Sequence, residues 1–241
     1  MNASGRGARL HLALLGYTEQ ANSYHMAEKR RSITTVPFPV SKRLFDIFSV
    51  ISLFVISIPF LVFFAAWMLI EKSISSKART PLFYCETRVS EGKRFNFCKF
   101  RIFSKGVIES EQRRRKVVHT KPLEKDKKNL TYYGRFLKQI YMDEFPQLWN
   151  IFIGDMTLVG PRPTNIENSE KLKKSGNYTR ERIRCGITGP FQAQKGGLLI
   201  QQNVDEEYIS FIESHSGPAV VLKDIRIVLQ TIITVLKAEG I

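Results

Sequence analysis

Asp143 and Glu144 stand side by side ahead of an aromatic-rich stretch, Phe145-Pro146-Gln147-Leu148-Trp149. By composition alone this is a helix start, with acids in the first turn and a proline tolerated there. The surroundings add a chemical reading, because many cations lie near these two carboxylates in sequence. Carboxylates attack phosphorus as nucleophiles, and they bind the Mg²⁺ that shields phosphates under attack. Gly160-Pro161-Arg162-Pro163 is a rigid loop in which flanking prolines restrict one arginine. That restriction suits a guanidinium fork aimed at phosphate oxygens. Lys99-Phe100-Arg101 closes a predicted strand with two cations around one aromatic. Gly186-Ile187-Thr188-Gly189 lacks both the P-loop lysine and G-x-G-x-x-G spacing, so alone it says little.

The elements that must position these groups begin with residues 47–70, 24 positions without a charge. As a helix this run reaches about 36 Å, longer than the hydrocarbon core of a bilayer. Pro59 sits near its centre, with Ser57 and Ser52 upstream to satisfy freed carbonyls. Lys42 and Arg43 flank one end, and Lys72, Lys77 and Arg79 the other. The positive-inside rule places both ends on the cytoplasmic side, which a helix turning back at Pro59 satisfies; a kinked straight span is the other form. Residues 81–103 alternate around Glu91-Gly92 as a β-hairpin. Between Arg113 and Lys128 there are eight basic and two acidic residues, a solvated segment facing an anionic surface. Residues 131–153 carry helical periodicity, 165–182 read as a polar helix, and 185–202 as a Gly-rich connection. Residues 219–237 form an amphipathic helix with Lys223, Arg226, Gln230, Thr234 and Lys237 on its polar face. Residues 1–40 read as a flexible leader.

Lys+Arg 37 against Asp+Glu 22 gives +15 over 241 residues, which favours an anionic partner. Nucleic acid would explain the charge and the basic run, but not the uncharged segment or the acidic pair. A silent scaffold adhering to anionic lipid is the remaining alternative to an enzyme. The three cysteines, Cys85, Cys98 and Cys185, show no C-x-x-C spacing; they suggest neither a disulfide framework nor a zinc site and fit a reducing cytosol. The four histidines lie far apart.

Taken in order, Lys42-Arg43-Leu44-Phe45-Asp46, Lys99-Phe100-Arg101, Gly134-Arg135-Phe136-Leu137, the run from Asp143 to Asn150, Gly154-Asp155-Met156, Val159 to Pro163, Gly186 to Gly189 and Leu222-Lys223-Asp224-Ile225 resemble the bacterial sugar transferase family, the monotopic polyprenyl-phosphate phosphoglycosyl transferases. The resemblance covers about residues 41–240. It implies an α+β fold: a membrane-embedded, Pro-broken re-entrant helix hairpin over 41–80, and a small, mainly helical cytoplasmic catalytic domain over 81–241 with a short β-hairpin and interfacial helices. The implied reaction moves a sugar 1-phosphate from a UDP-sugar to undecaprenyl phosphate through a covalent aspartyl intermediate. That is the first membrane step of a surface glycan, handing its product to downstream glycosyltransferases at the bacterial cytoplasmic membrane.

The resemblance also implies roles. Asp143 is the nucleophile and a Mg²⁺ ligand, and Glu144 either helps hold Mg²⁺ or assists deprotonation of the acceptor. Lys99, Arg101, Lys138 and Arg162 bind phosphate. Pro161, Pro163, Gly189 and Gln192 shape the donor loop, and Ser57 with Pro59 breaks the membrane helix. Three positions depart from the family pattern. Ile58 stands where serine usually precedes the proline, and Lys138 replaces an arginine. After Gly189 only Gln192 matches the usual continuation.

Overall fold

The computed structural model describes residues 34–114, 118, 120–193 and 201–237. In chain order it contains α1 (Val40–Ile74), β1 (Phe83–Ser90), β2 (Lys93–Phe100), α2 (Val107–Arg114), α3 (Thr120–Lys125), α4 (Tyr132–Gln139), α5 (Gln147–Ile153), β3 (Thr157–Val159), β4 (Thr164–Asn165), α6 (Ile166–Lys174), α7 (Thr179–Arg182), β5 (Gly186–Thr188), α8 (Pro190–Ala193), α9 (Gln201–Ser214) and α10 (Gly217–Leu236). Helices dominate, with two small sheets, as an α+β chain requires. Of the expected leader, residues 1–33 lie outside the described residues. Residues beyond them are not loose: Val36 is buried, and its N–H donates to the Arg182 carbonyl at 2.7 Å.

The uncharged run forms one helix of 35 residues that continues through Pro59, so the expected break is not marked by any interruption of the element. One side of α1 packs inward along its length. Phe45, Val50, Phe54 and Leu61 join one core cluster with Leu148, Ile151 and Tyr208. Phe60, Phe64, Trp67 and Met68 join a second, with Tyr133 and Leu137. The other side leaves Phe48, Ile51, Val55, Val62, Phe63 and Ile70 exposed. Both ends are tied to the same folded body. At the start, Arg43 donates to the carbonyls of Ile151 and Phe152, each at 2.7 Å, and so caps the C-terminal end of α5. At the finish, the two carboxylate oxygens of Glu71 accept from the N–H groups of Tyr132 and Tyr133 at 2.8 Å each. Those are first-turn donors of α4 that have no partner within their own helix.

The hairpin forms where its alternation places it. Glu91 (φ 50°) and Gly92 (φ 72°) supply the left-handed pair that a two-residue turn between twisted strands needs. β1 and β2 then run antiparallel, with Tyr84 opposite Lys99 and Arg88 opposite Phe95, and β4 joins on the far edge of β1. The same register corrects the reading of the cysteines. Cys85 faces Cys98 directly, with Cα atoms 4.1 Å apart, and the two are joined as a disulfide; Cys185 is free and buried. β3 and β5 pair in parallel, Thr157 with Gly186 and Val159 with Thr188.

The periodicity over 131–153 resolves into α4, a short 3₁₀ turn at Met142–Glu144 and α5. The polar segment at 165–182 becomes α6 and α7; the Gly-rich connection contains β5 and α8, with residues 194–200 outside the described residues. In α10 the expected polar face needs correction. Thr234 is buried and donates to the Ala193 carbonyl at 3.0 Å. Asp224, Val220 and Ile227 point inward with it, and the outward side carries Leu222, Ile225, Leu229, Ile232, Ile233 and Leu236. Ile232 and Ile233 are neighbours and the other steps are three or four residues, which makes a single apolar stripe turned away from the core.

Glu71→Ala removes the acceptors for two backbone donors at the start of α4, one of them buried. It should destabilise the protein by about 1–2 kcal/mol, read as a lower thermal midpoint in detergent micelles, whereas Glu71→Asp should recover part of that loss.

Candidate active site

The acidic pair lies on the 3₁₀ turn between α4 and α5, not in a helix proper. α4 stops at Gln139, and Tyr141 takes φ 58°, a left-handed conformation that a non-glycine residue adopts at some cost. This kink aims the following turn at the end of β2. Side chains on a 3₁₀ turn diverge by about a third of a revolution per residue, so Asp143 and Glu144 point in different directions.

Lys99, arriving from the end of β2, stands between them. Its Nζ is 2.6 Å from Glu144 Oε1 and 3.9 Å from Asp143 Oδ2. Arg162 reaches the same Glu144 oxygen from the Pro-Arg-Pro loop, with Nη2 at 3.1 Å. Burial alone disfavours a charged Glu144, but Lys99 and Arg162 overcome it and hold the carboxyl at about 2. Asp143 differs in kind. Burial pushes it up to about 6; Lys99 opposes this while Glu144 and Glu124 add to it. Among the described residues, no side chain donates a hydrogen bond to Asp143. One carboxylate is neutralised by two cations, and its neighbour is left desolvated and uncommitted. A small cavity beside them is walled by Tyr84, Glu86, Lys99, Phe100, Glu124 and Asp143.

Of the phosphate-binding candidates, the structure brings Lys99 and Arg162 to the acidic pair. Lys138 and Arg101 go elsewhere. Lys138 donates to the Glu124 carbonyl at 2.9 Å and pairs with the Glu124 carboxylate at 3.3 Å, so it meets the cavity only through Glu124. Arg101 is buried and its Nη2 lies 2.7 Å from Glu109. The loop residues act through backbone: Pro161 accepts from Gly186 N–H at 2.9 Å, and Pro163 accepts from Arg88 Nη1 at 2.6 Å. Gly189 lies against Gly160, where an added Cβ would come within 2.2 Å of the Gly160 carbonyl oxygen. Beside it, the buried carboxamide of Gln192 has no hydrogen-bond partner among the described residues. Ser57 and Pro59 sit mid-helix in α1.

Sequence reasoning missed three groups. Glu124 and Arg88 are ordinary surface charges by spacing, yet one walls the cavity and the other holds the Pro163 carbonyl. The third is a buried polar cluster in which Lys42 pairs with Asp224, and Asp46 binds β3. Its trace in the sequence is charge at the start of an apolar helix and in Leu222-Lys223-Asp224-Ile225, segments that carry the resemblance without a role attached.

Among the described residues no group of three His, Cys, Asp or Glu side chains converges as a metal cage. Asp143 and Glu144 nonetheless suit Mg²⁺, which binds through one or two carboxylates and completes its shell with water and substrate phosphates.

Titrating the protein with carboxyl-labelled aspartate by NMR should give an Asp143 midpoint near 6, absent from Asp143→Asn. Lys99 favours the charged carboxylate, so Lys99→Met should move that midpoint higher. A midpoint near 4 in the parent, the ordinary value for an aspartate, would contradict this environment.

Residues 38–238 match the family model described as bacterial sugar transferase. The UDP-galactose-lipid carrier transferase of Erwinia amylovora is 28% identical over 210 residues, 83% of this chain and 41% of its own length. The undecaprenyl-phosphate glucose phosphotransferase of Komagataeibacter xylinus is 28% identical over 201 residues, 80% of this chain and 35% of its own. An uncharacterized sugar transferase of Bacillus subtilis, EpsL, is 29% identical over 208 residues, 84% of this chain and 90% of its own. The chain thus spans about two-fifths of the first of these relatives and most of the last. With the family model covering most of its length, the chain belongs to the bacterial sugar transferase family.

Proposed function

We propose that this protein transfers a sugar 1-phosphate from a UDP-sugar to undecaprenyl phosphate, with Asp143 as a covalent nucleophile. The observation that carries this reading is the unequal treatment of the two carboxylates. Glu144 is held by Lys99 and Arg162, while Asp143 is desolvated, lies 3.9 Å from Lys99 and accepts no side-chain hydrogen bond among the described residues. A carboxylate of pKa near 6 is still mostly ionised at neutral pH, and poor solvation leaves its oxygen reactive.

In the first half-reaction an Asp143 oxygen attacks the β-phosphorus of the donor. The bond from that phosphorus to the bridging oxygen breaks, and UMP leaves. In the second, a phosphate oxygen of the polyprenyl acceptor attacks the same phosphorus, the acyl-phosphate bond breaks, and Asp143 returns as a carboxylate. Lys99 and Arg162 supply positive charge where the transferring phosphoryl group gathers negative charge. Mg²⁺ held by Asp143 and Glu144 would neutralise donor phosphate charge. Lys138 acts at one remove, through Glu124.

The names of relatives support both substrates: one is a UDP-galactose-lipid carrier transferase, another an undecaprenyl-phosphate glucose phosphotransferase. The exposed apolar sides of α1 and α10 support a seat in the bacterial cytoplasmic membrane. Because both ends of α1 dock on one folded body, we read the helix as entering and leaving by the cytoplasmic leaflet.

Two measurements test this. Incubated with Mg²⁺ and a panel of UDP-sugars but no acceptor, the enzyme should release UMP and gain a sugar-phosphate mass on the peptide bearing Asp143. Asp143→Asn should lose both; substantial turnover by that variant would defeat the assignment. For topology, single cysteines at exposed Val40 and Lys77, in a background otherwise free of cysteine, should react with an impermeant maleimide only from the cytoplasmic face of membrane vesicles. Reaction from opposite faces would mean a spanning helix.

A further inference from the structure

We propose that Asp46, on the membrane-facing helix α1, is a positioning residue for Arg162. This rests on the reading of Arg162 as a phosphate-binding group. Asp46 is fully buried, and its two oxygens accept from Thr157 Oγ1 at 2.6 Å and from Leu158 N–H at 3.2 Å. One turn earlier on the same helix, the buried Lys42 donates to the Val159 carbonyl at 3.0 Å while pairing with Asp224. Thr157, Leu158 and Val159 are the whole of β3, and the next residues are Gly160-Pro161-Arg162. Every residue of that strand is therefore gripped by α1.

The loop beyond has little freedom to absorb an error in β3. Gly160 N–H donates to the Thr188 carbonyl at 2.9 Å, Pro161 accepts from Gly186 at 2.9 Å, and prolines restrict both sides of Arg162. A shift of β3 is thus carried as a rigid displacement to the guanidinium that lies 3.1 Å from Glu144. Holding buried charges here is expensive, and apolar packing would serve stability alone at least as well. What the charges add is direction: a carboxylate accepting from two adjacent donors sets the position of the strand along α1. Displacements near 1 Å at a site that works by positioning are enough to cost roughly 100-fold in rate.

The test uses the full chain in detergent micelles. Asp46→Asn keeps the shape but removes the charge and leaves one accepting oxygen where there were two, and Thr157→Val removes the hydroxyl donor from the other side. Hydrogen exchange should rise in peptides covering 157–163 in both variants and stay unchanged over 130–137. With UDP-glucose or UDP-galactose as donor and UMP release as readout, kcat/KM should fall at least ~10-fold while the thermal midpoint moves little. In an Arg162→Ala background the same Asp46→Asn change should cost less than ~2-fold further, because both act on one contact. Ile108→Ala, in the second core cluster, lowers stability without this coupling and serves as the control. Unchanged exchange over 157–163 would overturn the proposal, as would full additivity of Asp46→Asn with Arg162→Ala. A parent that releases UMP from no UDP-sugar would instead defeat the proposed reaction, and the exchange measurement would still decide whether Asp46 holds the loop.

Discussion

The buried ion pair between Lys42 and Asp224 is the constraint around which the rest is arranged. Both side chains are fully excluded from water, and Tyr208 donates to the same carboxylate. An ammonium desolvated this completely is tolerated only with an anion in contact and its remaining donors occupied, here by the Val159 carbonyl and the Tyr208 hydroxyl. Meeting those demands draws four elements to one point: the start of α1, the end of β3, and the facing sides of α9 and α10. The apolar helix cannot tilt away from the domain without stranding a charge.

That tether explains how so apolar a helix is made part of a folded domain. α1 contributes side chains to both core clusters, so it completes the interior rather than hanging beside it. Its other side, with the outward stripe of α10, leaves more exposed apolar surface than an aqueous protein ordinarily carries. The basic excess of the chain complements an anionic lipid surface. Under the proposed function, seating on a bilayer and positioning the Pro-Arg-Pro loop are one arrangement, because α1 takes part in both.

At the dyad the same economy of charge appears in smaller form. Two adjacent carboxylates repel, and two cations placed on one of them relieve the conflict unequally. The result is a pair with separated acidities, about 2 for Glu144 and about 6 for Asp143. Separation of this kind gives neighbouring groups different chemical tasks. The left-handed Tyr141 is the local cost of turning both carboxylates toward the end of β2.

Much of this was legible in residue order, and the boundary of legibility has a physical cause. Local patterns announced local structure: the uncharged run became α1, and Glu91-Gly92 became the hairpin turn. The Asp-Glu pair and the Pro-Arg-Pro loop were read together from residue chemistry, and the fold brings Arg162 to Glu144. Partner choice was not legible. Lys138 stands close to the dyad in sequence and Lys99 far from it, yet strand register and a helix end decide that Lys99 meets Glu144 and Lys138 meets Glu124. Cys85 and Cys98 carry no spacing signal, and only their positions opposite each other in the hairpin join them. The face of α10 is the sharpest case. Its periodicity shows two sides without saying which is inside. That is decided by Lys42, whose partner lies 182 residues away in sequence. A buried ammonium requires a carboxylate, and bringing Asp224 inward turns the apolar stripe out.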